Sequence, residues 1–204
     1  MDFILVIFFS YICGSIPFGL ILTKIFIKED IRKIGSGNIG ATNVLRTGNK
    51  YLAAGTLILD IFKGYLPAFI TKQYFPELIE LSCLSAFLGH LYPFWLNFKG
   101  GKGIATYLGI LTALSFKLCV LFIFTWIIVS LIFKYSSLSS MFATLTVFVV
   151  NFLRETIVLS EITTINTLDI PDSKILFFFL ILIIFTHRKN ILNLKNKKEK
   201  KIKI

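Results

Sequence analysis

Long apolar runs with almost no charge constrain this chain more than any other feature of its sequence. The runs lie at residues 3–26, 51–71, 78–98, 103–116, 118–133, 138–159 and 175–186. A membrane-spanning helix needs about 20 mostly apolar residues, and most of the runs approach that length. Because 55% of the residues are hydrophobic and only 16% are charged, polar side chains could not cover a water-soluble surface. The sequence therefore predicts an all-α polytopic membrane protein with about seven transmembrane helices.

The charges between the apolar runs predict how the helices are oriented. Lysine and arginine outnumber aspartate and glutamate by 22 to 11, and they concentrate in loop 27–50, segment 99–102 and residues 187–204. Basic loops of membrane proteins lie on the cytoplasmic side. With the N-terminus outside, all three basic segments are cytoplasmic and the acidic segment 154–174 is outside. One span fewer would break this alternation, so the short run 103–116 is counted as a span.

The same charges predict one integral membrane domain over residues 1–194 and a basic, solvated cytoplasmic tail over residues 195–204. Such a tail gains about 1 kcal/mol per charge near anionic lipid headgroups. Nucleic acid also attracts lysine-rich segments, but no aromatic residue is interleaved with these lysines and the rest of the chain is apolar. We therefore expect no nucleic-acid partner. Cys13, Cys83 and Cys119 stand singly in apolar runs and predict no metal site.

The first polar cluster is residues 35–46, named here the glycine loop. Its glycines, Gly35, Gly37 and Gly40, allow tight turns and bare backbone N–H groups, which in succession form an anion-binding nest. The loop also carries short polar side chains and one arginine, whose planar guanidinium suits phosphate: Ser36, Asn38, Thr42, Asn43 and Arg46. The pattern predicts a phosphate or acyl-phosphate site, and a flexible linker is the alternative.

The glycine loop also matches the G-x-G-x-x-G pattern of dinucleotide-binding proteins, and Asp60 lies about 20 residues beyond its last glycine. That pattern requires a strand before the glycines and an acidic residue at the end of a strand. Here no strand is predicted before Gly35, and Asp60 lies inside an apolar run. We therefore reject nucleotide binding.

The second polar cluster comprises residues 89–93 and 98–103. Its last five residues, 99–103, are named here the glycine turn and read Lys-Gly-Gly-Lys-Gly. Bare backbone beside two lysines predicts a second anion-binding segment, and a basic turn that merely anchors a loop is the alternative. Asp60 and Lys63, three residues apart in an apolar run, are either a structural pair or groups beside the substrate. Ser140 at a span start is either a helix cap or a site residue, and His187 is either an interfacial anchor or a site residue.

Together these clusters resemble one known family. The segments GSGNIGATNVLR (35–46) and GHLYPFWLNFKGGKGIAT (89–106), and His187-Arg188 with Asn190-Ile191, are similar to the bacterial acyl-phosphate:glycerol-3-phosphate acyltransferases, the PlsY family. Residues 14–19 and 59–64 also fit, so the resemblance covers nearly the whole chain.

The resemblance implies a seven-span plasma-membrane enzyme whose active site faces the cytoplasm. The implied reaction moves a fatty acyl group from acyl phosphate to the 1-hydroxyl of sn-glycerol 3-phosphate and yields lysophosphatidic acid and phosphate. This is the first acylation of bacterial phospholipid synthesis. No metal, other cofactor, acyl-CoA or acyl carrier protein is implied as a direct participant. A functional link to the enzyme that produces acyl phosphate is implied.

The resemblance also assigns roles to residues. Acyl phosphate would be bound by Gly35, Ser36, Gly37, Asn38 and Gly40. Glycerol 3-phosphate would be bound by Thr42, Asn43, Arg46, Lys102, Ser140, His187 and Asn190. Catalytic roles would fall to Ser36, Arg46, Lys102, His187 and Asp60. Asn193 and Lys197 replace the basic residue and the glycine usual in the family, so the site is expected to end at Asn190.

The chemistry fits this interpretation independently. An acyl phosphate is an activated mixed anhydride, so the protein must mainly hold two anions, align a hydroxyl with the carbonyl and stabilise the leaving phosphate. The chain contains no evident Ser-His-Asp triad. The proton acceptor stays open among His90, His187, Asp60 and a substrate phosphate oxygen.

A transporter or channel for a small anion is the main rival function, because it would suit the intramembrane Asp60 and Lys63. Transporters place their sites near the bilayer midplane between repeats. Here the sequence shows no internal repeat, and its polar clusters are predicted at one face. A scaffold protein would leave both glycine-rich clusters unexplained.

Overall fold

The computed structural model describes residues 1–160 and 171–202, and among these it contains helices and no β-strand. The predicted all-α class is therefore confirmed. The helices are α1 (Asp2–Ser15), α2 (Phe18–Phe26), α3 (Ala41–Val44), α4 (Lys50–Tyr74), α5 (Ile79–Leu91), α6 (Ile104–Leu114), α7 (Phe116–Phe133), α8 (Ser136–Ser160), α9 (Ser173–Thr186) and α10 (Arg188–Lys195).

Local sequence explains where several helices begin and end. Asn49 caps α4, since its side-chain oxygen accepts a hydrogen bond from the backbone N–H of Leu52 at 3.0 Å. Asp172 caps α9 in the same way through the N–H of Lys174 at 2.7 Å. The apolar run predicted as a span over residues 78–98 is helical only to Leu91, because Pro93 cannot continue the helix.

Four segments are long and apolar enough to cross a membrane: Asp2–Phe26, Lys50–Tyr74, Phe116–Phe133 and Ser136–Ile157. A fifth results if α9 and α10, which are bent by 57°, count as one. Helices α5 and α6 have 13 and 11 residues. At 1.5 Å per residue they extend roughly 20 and 17 Å, short of the roughly 30 Å hydrocarbon core. Among the described residues the structure thus supports four or five spans.

The side chains that α7 exposes suit lipid rather than water. Apart from Lys117 near its start, the exposed residues of this helix are all apolar: Phe116, Val120, Ile123, Phe124, Ile127, Ile128, Leu131, Ile132 and Phe133. A helix at the surface of a soluble protein has a polar outer face. The exposed surface of α7 therefore indicates a membrane environment.

The chain forms two compact units, Met1–Ala113 and Leu114–Ile204. In the first unit α5 packs along α1 and also contacts α4, and in the second unit α8 packs on both α7 and α9. The expectation of a single membrane domain over residues 1–194 stays a prediction. Residues 161–170 of the predicted acidic outer segment lie outside the described residues.

Small residues allow α1 and α5 to approach closely. The Ser10 and Ser82 hydroxyls form a buried hydrogen bond of 2.8 Å between these helices. One turn further along, a Cβ on Gly14 would collide with the backbone carbonyl of Ala86. In lipid, helices associate through such close packing and interhelical hydrogen bonds, because the hydrophobic effect does not drive them together. The α1–α5 contact is therefore a principal stabilising contact of the first unit.

Replacing Gly14 by alanine tests this contact. The added methyl group would meet a backbone carbonyl that cannot move aside, so we expect Gly14→Ala to lower the free energy of unfolding by about 1–3 kcal/mol. Gly55→Ala in α4 is the matched control, since its Cβ would lie 3.6 Å from Leu22 Cδ1, an ordinary contact. Thermal unfolding in detergent measures both variants, and equal unfolding temperatures would contradict the prediction.

Candidate active site

The glycine loop is packed against the first unit through apolar side chains. Ile31, Ile39 and Val44, in and just before the loop, are buried against Leu20 of α2 and Leu52 of α4. Burial of these side chains gives the loop a defined position above the ends of two helices. The loop is therefore ordered structure, and the flexible-linker alternative does not describe it.

Asn43 holds the glycine loop in shape from within. Its side-chain oxygen accepts a hydrogen bond from the Ser36 N–H at 2.9 Å. Its amide nitrogen donates to the backbone carbonyls of Ile31, Ile34 and Asn38 at 3.1, 2.9 and 2.8 Å. Both polar atoms of this buried side chain are thus engaged by the loop. The structure gives Asn43 a role in shaping the loop, and its contact with glycerol 3-phosphate stays a prediction.

The backbone of the glycine loop uses several of the N–H groups that were expected to bind an anion. Gly35 and Gly37 have φ values of 58° and 72°, the left-handed region that glycine adopts without strain. The Gly37 N–H donates to the Ile34 carbonyl at 2.9 Å, and the Gly40 N–H donates to the Asn38 side chain at 3.0 Å. With the Ser36 N–H bound by Asn43, these three amides do not form the predicted nest.

The glycine loop instead presents side chains. Ser36, Thr42 and Arg46 are exposed, and the Arg46 side chain lies over Gly35, where an added Cβ would be 3.2 Å from Nη1. Across residues 1–160 and 171–202, no carboxylate lies within ion-pair distance of Arg46. Two hydroxyls and an arginine without an acidic partner are groups that bind phosphate oxygens well.

Arg32, just before the glycine loop, differs from Arg46 in having an acidic partner. Its guanidinium contacts the Asp30 carboxylate at 2.6 Å. The Arg32 guanidinium holds the pKa of this carboxyl well below its usual range. The charge of Arg32 is thereby balanced within its own turn, so of these two arginines Arg46 is the one suited to an external anion.

The N–H groups of the glycine turn are likewise used inside the protein. Gly100 donates to the Leu91 carbonyl at 3.0 Å and Gly101 to the His90 carbonyl at 3.2 Å. Gly101 also packs on the His90 ring, where a Cβ would collide with Nε2, and His90 Nδ1 is hydrogen-bonded to Thr106 Oγ1 at 3.0 Å. The prediction that Gly100 and Gly101 offer bare amides is therefore wrong. These contacts fix the direction in which the chain carries Lys102.

The structure brings the glycine loop and the glycine turn to the same end of the first unit. Leu96, three residues before the turn, packs against the apolar cluster beneath the loop. Trp95 Nε1 donates a hydrogen bond of 2.9 Å to the carbonyl of Ser15 at the end of α1. Between the two clusters, the chain runs away from this end of the unit along α4 and returns to it along α5. Two regions that are distant in sequence thus contribute to one surface.

Asp60 and Lys63 form a buried ion pair inside the first unit. Lys63 Nζ lies 2.8 Å from Asp60 Oδ1, and the two side chains are 2% and 3% exposed. Lys63 Nζ also donates to the Ile16 carbonyl at 2.7 Å. These contacts favour the structural-pair interpretation, and a catalytic role for Asp60 stays a prediction.

In the second unit, Ser140 and His187 are both buried and hydrogen-bonded. Ser140 Oγ donates to the Ser136 carbonyl at 2.9 Å and accepts from Trp126 Nε1 at 3.1 Å. His187 Nδ1 lies 2.8 Å from the Ile183 carbonyl. Because a carbonyl only accepts, Nδ1 carries a proton.

Glu199 contacts a predicted site residue that sequence reasoning did not connect with it. Its Oε1 accepts hydrogen bonds from Asn190 Nδ2 at 2.7 Å and from Ser137 Oγ at 2.8 Å. The Ile202 N–H donates to the Lys134 carbonyl at 2.7 Å. Through Glu199 and Ile202 the tail folds back onto the α7–α8 turn, while its described lysines stay exposed. The signal that could have revealed this is the single acidic residue among the lysines of the tail. That the site ends at Asn190 stays a prediction.

Replacing Asn43 by aspartate tests its role in the glycine loop. The variant keeps an acceptor for Ser36 but loses every hydrogen bond to the three carbonyls. We expect backbone amides of residues 31–47 to exchange hydrogen for deuterium about tenfold faster, as the loss of about 1.4 kcal/mol would cause.

Asn49→Asp is the matched control for this prediction. It makes the same chemical change at a helix cap, where aspartate works as well as asparagine. Unchanged exchange in Asn43→Asp, or equal acceleration in both variants, would contradict the role assigned to Asn43.

Comparison with protein families gives one match that covers nearly all of the chain. The family model described as glycerol-3-phosphate acyltransferase matches residues 4–197. Among curated relatives, a glycerol-3-phosphate acyltransferase of Pelagibacter ubique is 50% identical and the match covers all of both chains. A glycerol-3-phosphate acyltransferase of Mesorhizobium japonicum is 46% identical over 98% of this chain and 95% of its own.

Solved structures give the same result. The crystal structure of PlsY, described as an integral membrane glycerol 3-phosphate acyltransferase in its glycerol 3-phosphate form, superposes with a TM-score of 0.88. The sequence identity is 32%, and the match covers 100% of this chain and 96% of the other. The lysophosphatidic acid form of the same protein gives a TM-score of 0.85.

Proposed function

Because the chain belongs to the glycerol-3-phosphate acyltransferase family, we propose that it transfers a fatty acyl group from acyl phosphate to the 1-hydroxyl of sn-glycerol 3-phosphate. The products are lysophosphatidic acid and inorganic phosphate. The observation that carries this proposal is the surface formed by the glycine loop and the glycine turn. It combines the exposed Arg46 with Ser36, Thr42 and Lys102, which are the groups needed to hold phosphorylated molecules.

The glycine loop is the segment to which we assign the phosphate of the acyl donor. Its amides are largely used within the loop, so the binding groups are its exposed side chains. Ser36 donates a hydrogen bond, and Arg46 offers two parallel N–H groups to phosphate oxygens. The preformed shape imposed by Asn43 supports this role, since a loop that is already ordered loses little entropy when a ligand binds.

Glycerol 3-phosphate is assigned to Thr42, Arg46 and Lys102 in the first unit. In the second unit the family resemblance assigns it to Ser140, His187 and Asn190. The Ser140 side chain is buried and accepts a hydrogen bond from Trp126. These contacts favour a supporting role for Ser140 over direct contact with glycerol 3-phosphate. Asn190 is held by Glu199, which fixes how its amide is oriented.

The reaction requires little chemistry from the protein. The glycerol 1-hydroxyl oxygen attacks the acyl carbonyl carbon, the bond between that carbon and the phosphate oxygen breaks, and phosphate leaves with the electron pair. We assign the hydroxyl proton to a phosphate oxygen of the substrate. Asp60 and His90 support this choice, because both are buried and hold internal partners. Cationic side chains stabilise the charge that develops on the leaving group.

The setting we propose is a bacterial plasma membrane, crossed about seven times with the N-terminus outside and the site at the cytoplasmic face. Acyl phosphate is lipid-like and glycerol 3-phosphate is soluble, so a membrane–water interface is where both are available. An enzyme that generates acyl phosphate must act before this one. The short helices α5 and α6 count as spans in this proposal.

Phosphate release tests the activity, and Arg46→Lys tests the site. Purified protein with palmitoyl phosphate should release phosphate only when glycerol 3-phosphate is present. Arg46→Lys should raise KM about tenfold, because a point charge replaces a bidentate guanidinium and one charge-assisted hydrogen bond is worth about 1.5 kcal/mol. Arg32→Lys, in the same region but paired with Asp30, should leave KM unchanged. Uptake of an anion into vesicles without acyl transfer would instead indicate a transporter.

Cysteine labelling tests the orientation. In protein whose native cysteines are replaced by serine, single cysteines at Ser36 and Lys99 should react with a membrane-impermeant maleimide only after cells are permeabilised. A cysteine at Glu77, in the turn between α4 and α5, should react in intact cells. Labelling of Ser36 and Lys99 from opposite sides of the membrane would overturn the shared surface.

A further inference from the structure

The first span contains a break that the bundle must stabilise. Helix α1 ends at Ser15 and α2 begins at Phe18, with Pro17 between them. Proline has no N–H group and prevents the regular helical hydrogen bonds. The Cys13 carbonyl, which an N–H at position 17 would serve, accepts from the Ile16 N–H at 3.4 Å, and the Ile16 carbonyl accepts from the Phe18 N–H at 3.1 Å instead of a donor four residues on. These carbonyls have room for a further donor, and in apolar surroundings an unsatisfied carbonyl costs several kcal/mol.

Two side chains from elsewhere in the first unit supply donors to this break. Lys63 Nζ, on α4, donates to the Ile16 carbonyl at 2.7 Å. Trp95 Nε1 donates to the Ser15 carbonyl at 2.9 Å. The break is thus held between α4 and the turn that leads to the glycine turn.

The Asp60–Lys63 pair has features that fold stability alone does not explain. Both side chains are almost completely buried, and removing two charges from water costs several kcal/mol. Hydrophobic replacements of buried ion pairs are often as stable as the pair or more so. What the pair provides is a charged donor to the Ile16 carbonyl, with Asp60 as the counter-ion. A charge-assisted hydrogen bond is about twice as strong as a neutral one.

Helix α2 transmits the position of the break to the glycine loop. Gly19 packs directly on the Ile39 carbonyl, where an added Cβ would collide with the oxygen. Leu20 lies in the same buried cluster as Ile39 and Val44. The position of α2 therefore determines the position of the glycine loop above it.

We propose that Lys63 is a positioning residue of the acyltransferase: it orients α2 through the Ile16 carbonyl and so places the glycine loop for acyl phosphate. Asp60 keeps Lys63 charged and takes no part in proton transfer. This inference rests on the proposed function, because it uses the assignment of the glycine loop to the acyl donor. It predicts an effect on KM for the acyl donor rather than on kcat.

The decisive variant is the double substitution Asp60→Asn with Lys63→Met. Lys63→Met alone would leave a buried carboxylate without a partner and would destabilise the fold. The double variant removes both charges at nearly constant volume, so its unfolding temperature should stay close to that of the native protein. Its KM for palmitoyl phosphate should rise about tenfold with kcat changed less than about threefold, a pattern that reports lost substrate placement.

Three further measurements sharpen this test. Ser82→Ala, which removes a buried hydrogen bond between α1 and α5, should lower stability without changing KM. Trp95→Phe removes the donor to the Ser15 carbonyl at a partly exposed position, and it should also raise the KM for palmitoyl phosphate. Hydrogen exchange of residues 35–46 should accelerate in the double variant, and it reports loop position even if the protein does not release phosphate from palmitoyl phosphate.

The contrary results are distinct. A folded double variant with native KM, native kcat and native hydrogen exchange would show that Lys63 only neutralises Asp60. A fall in kcat at constant KM would place the pair in the chemistry. If the double variant does not fold, an unchanged KM in Trp95→Phe would overturn the proposal. Absence of phosphate release from the native protein would refute the proposed function alone.

Discussion

Within a membrane, every backbone carbonyl and N–H group must find a partner inside the protein, and this constraint governs where the chain departs from helix. The described residues meet it with a small set of side chains placed at the irregular segments. Asn43 binds carbonyls in and just before the glycine loop, and Lys63 and Trp95 bind carbonyls at the break in the first span. These partners allow non-helical backbone to persist beside apolar helices.

The same constraint explains why we assign anion binding by the two glycine-rich clusters to their side chains. Backbone amides at Ser36, Gly40 and Gly101 satisfy acceptors within the chain. Glycine suits these segments because it adopts the left-handed φ of Gly37 without strain and because it alone permits the close approach of Gly101 to His90. Glycine thus builds the platform, and Arg46 and Lys102 supply the charge.

Sequence reasoning could anticipate the features that depend on the apolar runs or on the alternation of successive loops between the two ends of the helices. The apolar runs became helices, and the clusters on either side of α4 and α5 came together because antiparallel neighbours return the chain to the same end. The contacts of Asn43 could not be foreseen, since they join residues through irregular backbone that has no repeating pattern. Glu199 binds Ser137 across 62 positions, a separation at which sequence spacing carries no geometric information.

The exposure of Arg46 has a consequence for the conditions under which the protein works. A guanidinium at the water boundary, with no carboxylate beside it in the described part of the chain, attracts phosphorylated molecules through a field that dissolved ions weaken. At about 0.15 M ionic strength this field decays over about 8 Å. In the proposed function, capture of the soluble substrate is therefore coupled to the salt content of the compartment that this surface faces, whereas the buried contacts that shape the loop are insulated from it.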